Sequence, residues 1–353
     1  MGNTTIRKKI RRLYIKTFSW EYWPIWVVYF PVSFYFLYLS IKARSFFFFS
    51  ASNPTIETGG MFFESKWKIF QLVPKAYYPA TIIVEGGEDM LVILQRMNFS
   101  GIEFPVIAKP DRGERGWGVK KINDIEELNT YKTNFKVSFL IQSYIDYPVE
   151  MSVFYYRHPA NEKGMVTSVT LKKLLTVKGD GQSTVDELIK RNNRAFLQYQ
   201  KLMQQNKIDF AHVPLQGEEV LLVPYGNHVL GATFFNYNHI IDATLTDTVD
   251  NISKQIDGFY FGRYDLRCAS IEDLKEGKSF SILEVNGAGA EPAHIYEPGF
   301  SFIKAQLTIA KHFKMMYTAA RENNRNGIPY MSYKSFKDTQ RLEKEYRSKV
   351  RLI

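Results

Sequence analysis

Residues 24–41 carry no charged side chain. Trp20-Glu21-Tyr22-Trp23 precede this run, Lys42 and Arg44 follow it, and residues 46–49 are all phenylalanine. At 18 residues, the run sits at the low end for a transmembrane helix, which needs about 20. Tyrosine and tryptophan crowd it as they do at lipid–water interfaces. Pro24 and Pro31 are potential kinks. Ahead of it stand Arg7, Lys8, Lys9, Arg11, Arg12 and Lys16, with no acid among residues 1–19. Spanning with the N-terminus inside would carry the long remainder of the chain out of the cytoplasm. Spanning the other way would translocate six basic residues against the positive-inside tendency. A monotopic segment with both ends cytoplasmic avoids both costs. The expectation is therefore attachment to the cytoplasmic face of a cell membrane, such as a bacterial inner membrane. Each basic residue near anionic lipid contributes about 1 kcal/mol at most. The alternative is an aromatic segment packed on the body. No small-residue cleavage site follows the run, which argues against a signal peptide. Ile6 stands where a myristoylation signal wants Ser or Thr.

Charge follows the same division. The net charge is +10 over 353 residues. Residues 1–50 contribute +7 and residues 321–353 contribute +5, so the 270 residues between them carry −2. A nucleic-acid binder carries its basic stripe on the folded body, so no nucleic-acid partner is expected. Basic ends beside aromatic sequence point to an anionic membrane surface. The single cysteine, Cys268, excludes a disulfide framework and multi-cysteine metal centres. No H-E-x-x-H or G-x-S-x-G occurs.

The body reads as α+β with largely antiparallel strands and no internal repeat. Strands are expected at 81–85, 106–109, 139–144, 150–156, 166–171, 219–223, 259–266 and 280–285. Helices are expected at 88–97, 184–205 and 302–321. This suggests four regions: a membrane-associating segment (1–50), a small α/β piece (51–105), the main domain (106–320) and a basic tail (321–353).

Three constellations could carry chemistry. In Lys109-Pro110-Asp111-Arg112-Gly113-Glu114-Arg115-Gly116-Trp117-Gly118, a strand ends in a lysine and a glycine loop follows. Glycines let backbone N–H groups turn toward an anion, and a lysine adds a point charge. The loop is not a Walker A motif, because Val119-Lys120 follows. Taken alone, the signal is weak, and an ordinary hairpin loop is the better reading. The second is Arg263-Tyr264-Asp265-Leu266-Arg267 with Glu284-Val285-Asn286. Residues i and i+2 on a strand face the same way. On neighbouring strands, Asp265, Glu284 and Asn286 would bring together three hard oxygen ligands suited to Mg²⁺ between carboxylates and phosphates. A solvated charged strand is the alternative, but Ile282, Leu283 and Val285 predict a buried one. The third is Glu150, whose carboxylate could accept ribose hydroxyls.

In this order the motifs resemble the ATP-grasp superfamily and, within it, the carboxylate–amine ligases. Gly262-Arg263-Tyr264-Asp265 with Glu284-Val285-Asn286, and His294 beyond them, is similar to D-alanine–D-alanine ligase. The stretch 177–188, Val-Lys-Gly-Asp-Gly-Gln-Ser-Thr-Val-Asp-Glu-Leu, with Leu215-Gln216-Gly217, is similar to cyanophycin synthetase. The resemblance spans roughly residues 60–315. It implies two α+β lobes clamping ATP. Lys109 would bind the phosphates, and Gly113, Arg115, Gly116 and Gly118 would close over them. Gln142 and Tyr144 would meet adenine, and Glu150 the ribose. Asp265, Glu284 and Asn286 would hold two Mg²⁺. Lys66 or Lys68 would be a further ATP lysine, and Lys172 or Lys173 would reach the γ-phosphate. Arg263 would steady the tetrahedral intermediate. The implied reaction is amide formation through an acyl phosphate. Departures from the D-alanine ligases argue against D-alanine as the substrate: Arg115 and Gly116 replace loop serines, Gly289-Ala290 replaces Pro-Gly, and the aromatic segment stands in the place of a substrate domain. A membrane-borne amino acid or lipid carrying the carboxylate or amine is the expectation. An ATP-grasp phosphotransferase and a non-catalytic nucleotide-binding membrane protein share these residues and stay open.

Overall fold

A computed structural model describes residues 2–113, 116–205 and 208–350. Its helices are α1 (Gly2–Phe18), α2 (Ile25–Ala43), α3 (Lys66–Leu72), α4 (Met90–Phe99), α5 (Ile125–Asn134), α6 (Val185–Arg191), α7 (Asn193–Gln205), α8 (Ala243–Lys254), α9 (Ile271–Lys275), α10 (Phe302–Arg325) and α11 (Tyr333–Ser348). Its strands are β1 (Thr81–Val84), β2 (Val106–Pro110), β3 (Lys120–Ile122), β4 (Phe139–Ser143), β5 (Val149–Tyr156), β6 (Met165–Lys173), β7 (Leu175–Lys178), β8 (Glu219–Val223), β9 (Thr233–Asn236), β10 (Phe261–Cys268) and β11 (Phe280–Asn286).

Side-chain alternation sorts these strands into antiparallel sheets. One has the order β1-β4-β2-β3, a second β11-β10-β5-β6-β9, and β7 pairs with β8. In the five-stranded sheet, Tyr264, Leu266, Met151, Val153 and Val285 turn to one face and are buried with Leu245, Val249 and Ile252 of α8. Their neighbours Arg263, Asp265 and Arg267 turn the other way, as the period of two requires. In the four-stranded sheet, Val106, Ala108, Phe139 and Ile141 pack against Ile93 of α4 and Leu128 of α5. Side-chain caps set the helix starts: Asp89, Asp124 and Asp242 each accept from a first-turn N–H, and Thr184 with Glu187 forms a capping box. The mixed, antiparallel α+β class agrees with the sequence reading.

The expected regions do not divide the structure where drawn. β1 pairs with β4, Thr81 opposite Gln142, so a boundary at 105 cuts one sheet. A boundary at 320 falls inside α10. Residue 50 lies in a 3₁₀ turn, Phe48–Ser52, whose Phe48 and Phe49 are buried beside Met316 and Tyr317 of α10.

The N-terminal segment folds onto the body along one side only. Arg11 donates to the carbonyls of Lys190 and Arg191, and Arg12 to that of Leu197. Pro24 caps α2, and Pro31 lies inside it without ending it. By length and composition, α2 could cross a membrane. Its Val28, Val32 and Leu39 are buried, the last two against α10, while Trp26, Phe30, Phe34 and Ile41 are exposed. At the other end of the chain, α11 packs on the glycine loop. Tyr346 donates to the Ser138 carbonyl (2.7 Å) and accepts from the Arg112 N–H (3.4 Å), and the Arg347 guanidinium lies 5.5 Å from the Trp117 ring.

Candidate active site

Strand register assembles a charged stripe across the five-stranded sheet. Asn286 stands opposite Arg263, and Glu284 opposite Asp265. On β5, Ser152 faces Asp265 and Glu150 faces Arg267. On β6, Lys172 faces Glu150 and in turn stands opposite Phe234 of β9. The stripe floors a cavity of about 520 Å³, and the other walls come from the four-stranded sheet, the glycine loop and the N-terminal segment.

Asp265 is the most engaged carboxylate. Arg263 grips it with two N–H groups (3.1 and 2.9 Å), Ser152 donates to it, and the Asn286 amide donates at 3.1 Å. Lys172 Nζ lies 3.1 Å away. Burial alone would favour the neutral acid, but Arg263, Lys172 and Ser152 outweigh it and hold the carboxyl far below its usual range. Burial opposes the charge on Arg263 as well, and Asp265 raises its pKa overall. Glu150 accepts from Arg267 (3.1 Å) and has Lys172 at 3.7 Å. A Cβ at Gly226 would stand 1.9 Å from a Glu150 carboxylate oxygen, so only glycine fits there.

The sheet register shifts at Leu283, because Asp265 faces Glu284 while Leu266 faces Ile282. Such a bulge leaves a carbonyl out of the ladder. Lys109, reaching across from β2, takes it: its Nζ donates to the Leu283 carbonyl (2.8 Å) and to Gln142 (2.9 Å). Burial lowers the Lys109 ammonium to about 8, with Glu284 opposing the shift and Lys66 adding to it. Lys66 bonds to the Gly113 carbonyl and lies 3.6 Å from Glu284.

The structure brings together Lys66, Lys109, Gly113, Gly116, Tyr144, Glu150, Lys172, Arg263, Asp265, Glu284 and Asn286. It does not bring four expected residues into the cavity lining. Lys68 pairs with Glu57 at the surface. Lys173, one residue past Lys172, points to the opposite face and pairs with Glu219 at 3.6 Å. Gln142 is buried behind Lys109. Gly118 packs on Pro110 and Phe135, with its carbonyl bonded to Tyr131. Arg115 lies outside the described residues. Gly113, Gly116 and Gly118 all have positive φ, which explains glycine in the loop. Sequence reasoning did not single out Arg267 as a site residue, although alternation from Asp265 would have found it. It also overlooked Glu21, Trp23, Ile25, Val28, Glu291 and Tyr296, which reach the cavity through tertiary packing and leave no local signal. Burial raises the Cys268 thiol to about 12, and Cys268 is a core residue.

Among the described residues, five Lys/Arg and six Asp/Glu line the cavity. A bare triphosphate would be repelled by that balance, and a divalent cation restores it. No group of three or more His, Cys, Asp or Glu forms a metal nest among the described residues. The donor set nonetheless fits a hard cation completed by phosphate oxygens. Glu284 is part-exposed, and Asn286 spends its NH₂ on Asp265, which leaves its amide oxygen available. Asp265 is already held by Arg263 and Lys172.

No family model matches the chain, and no curated protein matches it. Solved structures similar to it include a bifunctional glutathione synthetase from Pasteurella multocida (15% identity, 71% of this chain and 35% of that one, TM-score 0.39). A D-alanine–D-alanine ligase from Bacillus anthracis (17%, 76% and 70%, 0.41) and the VanG D-Ala:D-Ser ligase from Enterococcus faecalis (12%, 74% and 62%, 0.42) are others. This chain spans about a third of the synthetase's length. At such identities and scores the likeness says nothing of substrate.

Proposed function

We propose that the chain is an Mg²⁺–ATP-dependent carboxylate–amine ligase acting at a membrane surface. The observation that carries this reading is the convergence of Lys66, Lys109 and Lys172 on the facing pair Asp265 and Glu284, with Asn286 beside them, in one cavity. In the reaction, a substrate carboxylate oxygen takes the γ-phosphoryl group and ADP leaves. An amine nitrogen then attacks the carbonyl carbon, and phosphate leaves as the amide forms. Lys66, Lys109 and the loop N–H groups hold the phosphates. Glu284 and Asn286, with Asp265 behind them, would hold a divalent cation, whose charge would offset that of the phosphates. Arg263, fixed by Asp265 and by the Glu291 carbonyl at 3.1 Å, presents an N–H edge to the oxyanion of the second step.

The membrane half rests on the exposed faces of α1 and α2. Ile6, Ile10, Leu13, Tyr14 and Phe18 form one helical stripe, and Trp26, Phe30, Phe34 and Ile41 another. Arg7, Lys9, Lys16 and Lys42 stand near them. Both ends of α2 are tied to the body, through Arg11, Arg12 and Glu21 on one side and Phe48 and Phe49 on the other. A spanning α2 would break those ties. An in-plane α2 keeps them and faces the acyl chains.

The test is ADP release by purified protein with Mg²⁺, pooled amino acids and lipid extract, with products read by mass spectrometry. A condensation product short of one water that disappears in Glu284→Ala supports the ligase. A product that gains a phosphate refutes it in favour of phosphotransfer. Co-sedimentation with anionic vesicles tests the attachment, and no binding would refute it.

A further inference from the structure

The cavity continues past the charged stripe to the N-terminal segment. Trp23, Ile25 and Val28 form its far wall, opposite Ala293 and Tyr296. Ile25 both lines the cavity and is 40% exposed, so it stands at an opening. Just beyond lie Trp26, 72% exposed, and Phe30, 61% exposed, on the apolar face of α2. The apolar wall of the cavity and the exposed apolar face of α2 therefore meet at Ile25. The inner end of the cavity is acidic. Glu291 accepts from Tyr296 (3.2 Å), and Arg263 donates to Asp265 and to the Glu291 carbonyl, with its remaining N–H edge facing the oxyanion of the proposed reaction. Glu21 is paired with Arg194 at 2.6 Å. Lys172 and Arg267 are committed to Glu150 and Asp265, and Lys66 stands beside Glu284.

Resting on the ligase reading, we propose that this slot receives the acceptor substrate, a primary amine carried on an apolar chain. The ammonium lies against Glu291 beside Arg263, and the chain leaves past Val28 and Ile25 into the lipid that covers α2. A carboxylate head would meet Glu291 with Lys172 and Arg267 already engaged, a like-charge arrangement. A short soluble amine would leave the Trp23–Val28 wall uncovered.

The test uses two vesicle-borne photoprobes with the same diazirine-bearing dodecyl chain, one ending in a primary amine and one in a carboxylate. Full-length protein is irradiated with each probe, with Mg²⁺ and a non-hydrolysable ATP analogue present, and labelled peptides are mapped. The expected result is labelling at residues 23–28 and 290–296, about tenfold stronger with the amine, as one charge-assisted contact allows. Ile25→Trp, which plugs the opening, should remove it. Preference for the carboxylate overturns the proposal, as does labelling confined to the outer face of α2. Nucleotide binding is read on the same sample with a fluorescent ATP analogue. ATP bound without amine labelling refutes the slot and spares the ligase reading; amine labelling without ATP binding does the reverse.

Discussion

Lys109 gives the most direct handle on nucleotide binding. Its ammonium sits at the end of β2 between the Leu283 carbonyl and Gln142, and burial brings it to about 8. A phosphate partner needs the charged form. In the free protein the protonated fraction falls from about 0.9 at pH 7 to about 0.1 at pH 9 for a group titrating near 8. Binding above pH 8 must first restore that proton, so affinity for Mg²⁺–ATP weakens about tenfold across that interval, or about 1.4 kcal/mol. The sign follows from the lowered pKa: affinity is full below 8 and is lost as the pH rises through it. Lys109→Arg stays charged over the whole range and should flatten the curve. Lys109→Met should bind weakly at every pH. Calorimetric titration of a non-hydrolysable ATP analogue at half-unit steps measures all three. A flat wild-type profile, or an arginine variant that falls in parallel with it, would falsify the assignment of Lys109 to the phosphates.

Asp265→Asn leaves Arg263 buried without its closest counter-charge and Lys172 with Glu150 alone at 3.7 Å. It should cost about 3–5 kcal/mol in a urea unfolding titration, and a cost below 1 kcal/mol would show the cluster to be loosely held. Asp265 titrates lower in the folded than in the unfolded chain, so its stabilisation is present above the ordinary aspartate range and fades only as the pH falls through the depressed value. Arg194→Ala leaves Glu21, at 9% side-chain exposure, with His228 at 3.4 Å as its one remaining ion-pair partner among the described residues. Proteolysis should then release residues 1–45 faster while the body stays resistant; an unchanged digestion pattern would show that the pair does not hold the segment. Tyr346→Phe removes the hydrogen bond from the Arg112 N–H of the loop and the one to the Ser138 carbonyl beside it, and should weaken nucleotide binding roughly fivefold, at about 1 kcal/mol. An unaltered affinity would mean α11 does not order the loop.

Strands were the most legible part of this sequence. The alternation in 261–268 and 280–286 puts Asp265 and Glu284 on the same face once the two are paired, and their spacing in the chain suggests that pairing. The same logic separates Lys172 from Lys173, although neither residue's neighbours show which of the two faces inward. Lys66 and Lys68 share that ambiguity, and only the position of α3 decides between them. The N-terminal end of the cavity was illegible for a different reason. Glu21, Trp23 and Val28 reach the cavity through contacts more than a hundred residues distant, such as Glu21 with Arg194 at a separation of 173. No local periodicity encodes such a contact. The tail illustrates the same limit. Its basic composition points to an anionic surface, whereas Tyr346 turns onto Ser138 and the Arg112 N–H, and Phe336 onto Phe47 and Phe62.

The α11 contact has a bearing on biosynthesis. Arg112 and Tyr346 are 234 residues apart. At translation rates of about 5–20 residues per second, the glycine loop exists for roughly 10–50 s before its brace has been made. The two larger sheets can pair their strands during that interval, but the glycine loop lacks its contacts with α11. A chain that ends between β11 and α11 would thus carry both sheets with an unbraced loop, and on the proposed function its nucleotide affinity would reach its full value only once α11 has been made.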